Sequence, residues 1–303
     1  MVTVSTGAFF ERANLQLGTL RKQAEGLQSQ IGTGERLTRS SDDPVAAAKL
    51  RSLSRSQRLR TVDQRNSDRA STDLRLADQA LVSMADIVIR TKELALQANS
   101  NALSDANRQA IATEVANLRE NLIYLANSRD ATGQALFGGE TAGLAFTEAA
   151  GVVTYQGTAN PPLVDLGDGQ VVERSITGPE FVNFDPGTGP TDLFAVLGAL
   201  ATGLAAGGAA SLTAAGDAIS VLDAGLEKIT TAQTVIGTRQ AWVETIDDRR
   251  VTTGELLAEE EANVGGADLA GTITRLQELM TVLEASQASF VRLSGLSLFN
   301  QLR

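Results

Sequence analysis

A chain of 303 residues without cysteine or histidine has no disulfides, no thiolate or imidazole metal ligands, and no Cys- or His-dependent nucleophilic catalysis. A net charge of −10 argues against a general nucleic-acid binder, and 4% aromatic residues are typical of long helices rather than of a thick enzyme core. Composition leaves open carboxylate acid–base chemistry and oxygen-ligated calcium or magnesium. Because no residue stands out as a nucleophile and no phosphate-binding Gly-rich loop follows a strand, we expect a non-enzymatic protein with no cofactor and no metal.

An apolar repeat near the N-terminus predicts the first helix. Leu17, Ala24 and Ile31 are seven residues apart, and Leu20 and Leu27 fill the complementary positions of the repeat. This spacing is typical of a helix that buries one narrow stripe against partner helices.

A helix-start motif follows the glycines at positions 32 and 34, which end the first helix. Asp43 can accept N–H bonds of the first helical turn, and Pro44 fits the first helical position, where its missing donor costs nothing. Asp42 and Asp43 could instead form a paired-carboxylate site, but capping is the simpler interpretation. We therefore interpret Asp42, Asp43 and Pro44 as the start of a helix.

Longer apolar patterns predict the helical body of the molecule. One pattern runs from residue 45 to about residue 99, a second begins after Ser104 and ends near Gly133, and a third runs from Ile219 towards Leu257. The Ala/Gly-rich stretch at 196–210 has mostly small side chains, and we expect it to be flexible or only loosely helical.

Residues 138–195 have a different composition. They are rich in Gly, Pro, Thr, Val and Asp, and short alternating runs such as 151–155 and 170–173 lie between turn residues. This pattern predicts a small β-rich insertion of several short strands. The insertion has eight acidic residues and one basic residue, Arg174, which suits a hydrated outer surface.

The last predicted helix follows Gly265 and Gly266 and has the most regular apolar stripe. Burying one leucine contributes roughly 1.5–3 kcal/mol, whereas ordering one residue costs about 1–2 kcal/mol of backbone entropy. We therefore expect the end helices to order fully only when neighbouring copies complete their packing, although closure into an ordinary bundle within one chain is equally open. The candidate assembly seam comprises Leu17, Leu20, Leu27 and Ile31 in the first helix, and Leu269, Ile273, Leu276, Met280, Leu283 and Phe290 in the last.

The order of these segments is roughly palindromic and predicts a mainly α fold. Long antiparallel helices and a coiled coil of the N- and C-terminal regions carry a small β-rich inserted middle domain. The predicted domains are a terminal coiled coil (1–38 and 265–303), a rod of long helices (39–137 and 210–264), and the insertion with its Ala/Gly-rich connection (138–209).

Segments at both ends of the chain resemble the bacterial flagellin family. Residues 31–37 (IGTGERL) and 41–48 (SDDPVAAA) are similar to the family's N-terminal signature, and residues 267–270 and 283–287 are similar to its C-terminal domain. The resemblance implies a self-assembling structural subunit of a bacterial flagellum.

Three features resemble the family members that form the junction between hook and filament. They are the extended motif at 42–47, the aromatic-glycine turn at 133–139 and the segment at 296–303. Ala135 departs from the pattern, because the family usually has a tyrosine there. Flagellin, the bulk filament subunit, is the alternative, and a helical surface scaffold or adhesin with a ligand-binding β insertion is a second.

The resemblance also implies partners and a location. We expect a ring of identical subunits, with a hook-associated protein on the hook side and flagellin on the filament side, and no nucleic acid or membrane insertion. Type III export places such subunits outside the cell, and residues 1–6 show no basic and apolar pattern of a cleaved signal peptide. An exposed seam in the last helix would also suit an export chaperone.

Overall fold

The computed structural model describes the backbone of residues 6–301 and the side chains of residues 8 and 10–292. The expectations for residues 1–5 and for the side chains of 296–303 lie outside this part of the chain. The elements in chain order are α1 (Thr6–Thr33), α2 (Pro44–Ala98), α3 (Asp105–Ala126), β1 (Phe146–Ala149), β2 (Val152–Tyr155), β3 (Leu163–Gly167), β4 (Gln170–Glu173), α4 (Gly178–Val182), β5 (Asn183–Phe184), β6 (Thr191–Asp192), α5 (Leu193–Ala206), α6 (Gly208–Gly265) and α7 (Leu269–Gln301).

Long helices dominate the fold, and the predicted fold class is confirmed. The chain forms two compact units, one within Met1–Arg58 and Thr252–Arg303, the other Leu59–Val251. We call them the terminal unit and the central unit. The division into three domains that the sequence suggests stays a prediction.

The core of the central unit is built from helical stripes with steps of three and four residues. Such stripes place apolar side chains on one helix face, where they bury against neighbouring helices. The fully or almost fully buried members of these stripes are Ala70, Leu74, Ala77, Leu81, Met84 and Val88 in α2, Val115 and Leu122 in α3, and Leu222, Ile229 and Ile236 in α6.

The β-rich part consists of three separate antiparallel hairpins, β1–β2, β3–β4 and β5–β6. The first hairpin is held by an aromatic cluster, because the ring of Phe146 lies 5.2 Å from the rings of both Tyr155 and Phe194. The second hairpin turns through Asp168, whose φ of 52° is in the left-handed region, between two glycines that also have positive φ.

The expectation of a loose connection at 196–210 is wrong, because most of that stretch is a packed helix. Asp192 caps α5 by accepting the backbone N–H of Ala195 at 2.8 Å. Leu193, Leu197 and Leu204 lie on one face and are completely buried. The small residues between them allow close packing, so the composition that suggested flexibility serves helix packing instead.

The third helix ends earlier than the sequence suggests, at Ala126 rather than near Gly133. After it, the Asp130 carboxylate accepts the backbone N–H groups of Thr132 at 2.8 Å and of Gln134 at 2.9 Å. These bonds close a tight turn outside the helix and lead the chain to Phe137, which is completely buried.

Candidate assembly surface

Helices α1 and α7 form an antiparallel pair in the terminal unit. At one end the backbone N–H of Arg36 donates to the carbonyl of Gly265 at 2.7 Å, and the N–H of Ala267 donates to the carbonyl of Gly34 at 2.9 Å. Towards the other end, the rings of Phe10 and Phe290 meet edge to face with centroids 5.4 Å apart. The terminal helices of one chain therefore pair with each other.

The α1 part of the candidate seam lies along this helix pair. Leu17, Leu20, Leu27 and Ile31 are each partly buried, and Ala24 between them is 7% exposed. The spacing of these five residues gives one continuous stripe, as expected for a helix with a single partner.

The seam residues of α7 fall into a buried group and an exposed group. Leu283 is buried at 8% exposure, and Leu276 and Phe290 are partly buried. Leu269 and Met280, in contrast, remain 46% and 41% exposed. Ile273 is also exposed, at 43%.

The residues that share the buried side of α7 are ones that the sequence interpretation missed. Thr272 is buried, and Leu279 and Ser286 are partly buried. At about 100° per residue, these three residues lie roughly 80–140° around the helix from Ile273 and Met280. Their seven-residue spacing could have placed them on one helix face, but two of the three are polar and are therefore not part of an apolar repeat.

A groove follows the opposite flank of the same helix pair. It has a volume of about 510 Å³ and is lined on one side by Gly26 and Leu27 and on the other by Leu279 and Val282. Val282 is half exposed, and a Cβ at Gly26 would meet no atom within 4 Å. Both flanks of the α1–α7 pair therefore expose apolar surface.

The helix-start motif lies at the beginning of α2, whose first residue is Pro44. The Asp43 carboxylate accepts the backbone N–H of Ala46 at 3.0 Å and a guanidinium N–H of Arg36 at 3.2 Å. The hydrogen bond from Ala46, followed by that from Arg36, lowers the pKa of Asp43. Asp42 instead accepts the backbone N–H three residues before it, at 2.8 Å. The two carboxylates thus hold two different parts of the local chain.

A buried ion cluster in the central unit went unnoticed in the sequence. Arg174 donates from Nη1 to the carboxylates of Asp73 at 2.9 Å and Asp130 at 2.7 Å, and from Nη2 to Gln134 at 2.8 Å. Both carboxylate side chains are almost inaccessible, at 2% and 1% exposure. The only basic residue of the β-rich insertion therefore attaches it to α2 and to the turn after α3.

The ion cluster changes the ionisation of its members. Burial would raise the pKa of Asp130, but hydrogen bonds from Thr132, Arg174 and the Gln134 backbone outweigh burial and lower it to about 2. Burial raises the pKa of Asp73, because its bond to Arg174 only partly compensates the lost hydration.

Neither a metal-ligating cluster nor a membrane-spanning helix is found in the part of the chain that the structure describes. Among those residues, no group of three or more acidic side chains could hold a metal ion. Within residues 6–301, none of the helices combines the length and hydropathy needed to cross a membrane.

Comparisons with known proteins first give the class of protein. Residues 4–142 match the family model of the bacterial flagellin N-terminal helical region. That range includes α1, α2 and α3, together with the helix-start motif. This part of the chain is thus similar to the N-terminal helical region of bacterial flagellins.

Other known proteins match nearly the whole length of the chain and indicate a narrower group within this class. The chain is 28% identical over 300 residues to the flagellar hook-associated protein 3 of Escherichia coli, covering 93% of this chain and 94% of that protein. The fold matches a structure described as a flagellar hook-associated protein of Vibrio parahaemolyticus with a TM-score of 0.69 (20% identity, 74% of this chain, 100% of the other). It also matches the flagellar junction protein of Legionella pneumophila with a TM-score of 0.61 (16% identity, 72% of this chain, 99% of the other).

These matches confirm the resemblance recognised in the sequence. The chain is a homologue, over nearly its whole length, of proteins named flagellar hook-associated protein 3.

Proposed function

We propose that this chain is a structural subunit of the bacterial flagellum that forms the junction between hook and filament, and that it is not an enzyme. The observation that carries the proposal is the similarity to flagellar hook-associated protein 3 over 93% of the chain. A relative that shared only the terminal helices would support membership in the wider class alone.

The exposed faces of α1 and α7 support assembly through the terminal helices. Leu269, Ile273 and Met280 form an apolar strip beside the α1 contact, and covering such surface contributes roughly 25 cal/mol per Å². A two-helix pair cannot bury this strip alone, whereas neighbouring copies can. The candidate seam thus has two roles in this proposal, with Leu276, Leu283 and Phe290 holding the pair together and the strip contacting the next copy.

The proposed partners follow from a position between hook and filament. Identical copies form a ring, a hook-associated protein contacts the ring on the hook side, and flagellin contacts it on the filament side. The chain reaches this position by type III export, and a chaperone that covers the strip on α7 would keep it from premature association. In this arrangement the predicted domain 138–209 faces the medium.

Immunogold electron microscopy of intact flagella tests the proposal, with antibodies raised against residues 138–195. Gold confined to one band where hook meets filament is the expected result. Gold along the whole filament would make the chain a flagellin, and flagella without gold would rule out a flagellar role for it.

A further inference from the structure

Three arginines form a basic face on the first part of α2. Arg51, Arg55 and Arg58 follow the spacing i, i+4, i+7 and are all exposed. Beside them is a groove of about 470 Å³, with Arg39 on its other side. Among the side chains that the structure describes, none forms an ion pair with these four arginines.

An acidic face of the same kind lies on the last part of α6, in the same terminal unit. Glu255 and Glu259 are one helical turn apart, and both are exposed. Neither forms an ion pair with a side chain in the described ranges. The terminal unit therefore presents one unpaired basic face and one unpaired acidic face.

The two faces cannot neutralise each other within one molecule, because the facing sides of α2 and α6 are occupied by another pair. Lys49 of α2 forms a salt bridge with Glu260 of α6. At about 100° per residue, the basic face lies roughly 150° around α2 from Lys49, and the acidic face lies roughly 120° around α6 from Glu260. Both faces consequently point away from the contact between the two helices.

Each face also contains like charges that repel each other and slightly destabilise their own helix. Arg51 and Arg55 are like charges at i, i+4, and so are Glu255 and Glu259. Such pairs destabilise a helix by about 0.2–0.5 kcal/mol each. Unlike charges brought from outside would remove this repulsion on both helices at once.

We propose that the basic face of one copy binds the acidic face of a second copy of this chain. The inference rests on the proposed self-assembly and adds the surface through which neighbouring copies recognise each other. Because the two faces are different surfaces of one molecule, the contact is head-to-tail, the type that closes into a ring when the rotation between copies permits. Charge complementarity of this kind sets which surfaces meet and suppresses wrong pairings.

Reciprocal charge reversal tests this contact in cells that lack the native gene. The arginine variant is Arg51→Glu with Arg55→Glu, and the acidic variant is Glu255→Arg with Glu259→Arg. The amount of chain in sheared flagella is measured by immunoblot. Since like charges then oppose each other, each variant alone should incorporate at least about tenfold less than the unmodified chain. Co-expression of the two should restore incorporation where the variants alternate, because the reversed face of one variant then meets the reversed face of the other, and their two unreversed faces also pair.

A matched control reverses two basic residues of the central unit, Arg75→Glu with Lys228→Glu, and should leave incorporation nearly unchanged. Circular dichroism of each purified variant should show the helix content and unfolding midpoint of the unmodified chain. Loss without rescue would mean that these faces bind other molecules and would overturn the inference, as would normal incorporation of either single variant or an equal loss in the control. If the unmodified chain itself is absent from flagella, the proposed function has failed instead.

Discussion

Replacing Arg174 by methionine is expected to destabilise the central unit strongly. Methionine keeps an apolar stem of similar length but removes the cation that lies between Asp73 and Asp130, whose side chains are at most 2% exposed. Breaking a buried ion pair from one side costs about 3–5 kcal/mol. The guanidinium of Arg69, at 4.0 Å from Asp73 and 3.7 Å from Asp130, is half exposed and offsets only part of this loss. Since domains are typically stable by only about 5–15 kcal/mol, the loss is a large share of the total.

Urea unfolding of the purified chain measures this cost. Circular dichroism and the fluorescence of Trp242 monitor the unfolding, and Trp242 is the single tryptophan and belongs to the central unit. Arg174→Lys serves as the matched variant. It keeps the positive charge but cannot make the three bonds of the guanidinium fork, so its stability should lie between that of the methionine variant and that of the unmodified chain. A loss below about 1 kcal/mol for Arg174→Met, the range of exposed pairs, would refute the role given to the cluster.

The same cluster makes a prediction about acid. Because the folded pKa of Asp130 is lowered to about 2, its ionised form stabilises the fold fully above its ordinary pKa of 3.8, and this contribution is lost as pH falls from about 4 to about 2. The raised pKa of Asp73 acts in the opposite direction. The unfolding free energy of the unmodified chain minus that of Asp130→Asn isolates the first effect, and this difference should shrink by about 2 kcal/mol between pH 4 and pH 2. A difference that does not vary with pH would contradict it.

Two further predictions compare neighbouring or similar positions. Met280→Asp should lower incorporation into flagella at least about tenfold and leave monomer stability nearly unchanged, because the Met280 side chain is already 41% exposed and only a neighbouring copy would desolvate the charge. Thr281→Asp, one residue further around the helix, is the control. Equal immunoblot signals for the two variants would refute the role of the strip. Gly225→Ala should lower the free energy of unfolding by about 1–3 kcal/mol, because the new Cβ would lie 2.5 Å from a methyl carbon of Leu193. A Cβ at Gly237 would meet no atom within 4 Å, so Gly237→Ala should raise the free energy of unfolding by up to about 1 kcal/mol through its higher helix propensity. Thermal unfolding of both variants measures these changes.

Much of the helical architecture could be predicted from local chemistry alone. Steps of three and four apolar residues identify the buried stripes of α2 and α6, because helical periodicity converts sequence spacing directly into one face. Pro44 lies at the first position of α2, and Gly265 lies at the last position of α6, where helix starts and stops are expected from residue type. The relation to flagellar proteins was also visible, since its motifs are short and lie in the two end segments.

Other features were not accessible to sequence reasoning, because they depend on which segments meet. Arg174 appeared as a lone cation in an acidic insertion, and its two partners are 101 and 44 positions away along the chain. The stretch at 196–210 appeared flexible, since alanine and glycine give no strong periodic signal, yet packing by Leu193 and its neighbours makes most of it a helix.

The α7 helix shows the boundary between the two kinds of information most clearly. Its sequence determined that apolar residues gather on one side, from Leu269 to Phe290. Only the tertiary structure decided that Leu283 faces α1 while Ile273 and Met280 face outward. The physical reason is that a single partner helix covers only a narrow arc of α7. The rotation of α7 about its own axis relative to α1 therefore decides which part of the broader apolar side is buried and which part remains exposed for another molecule.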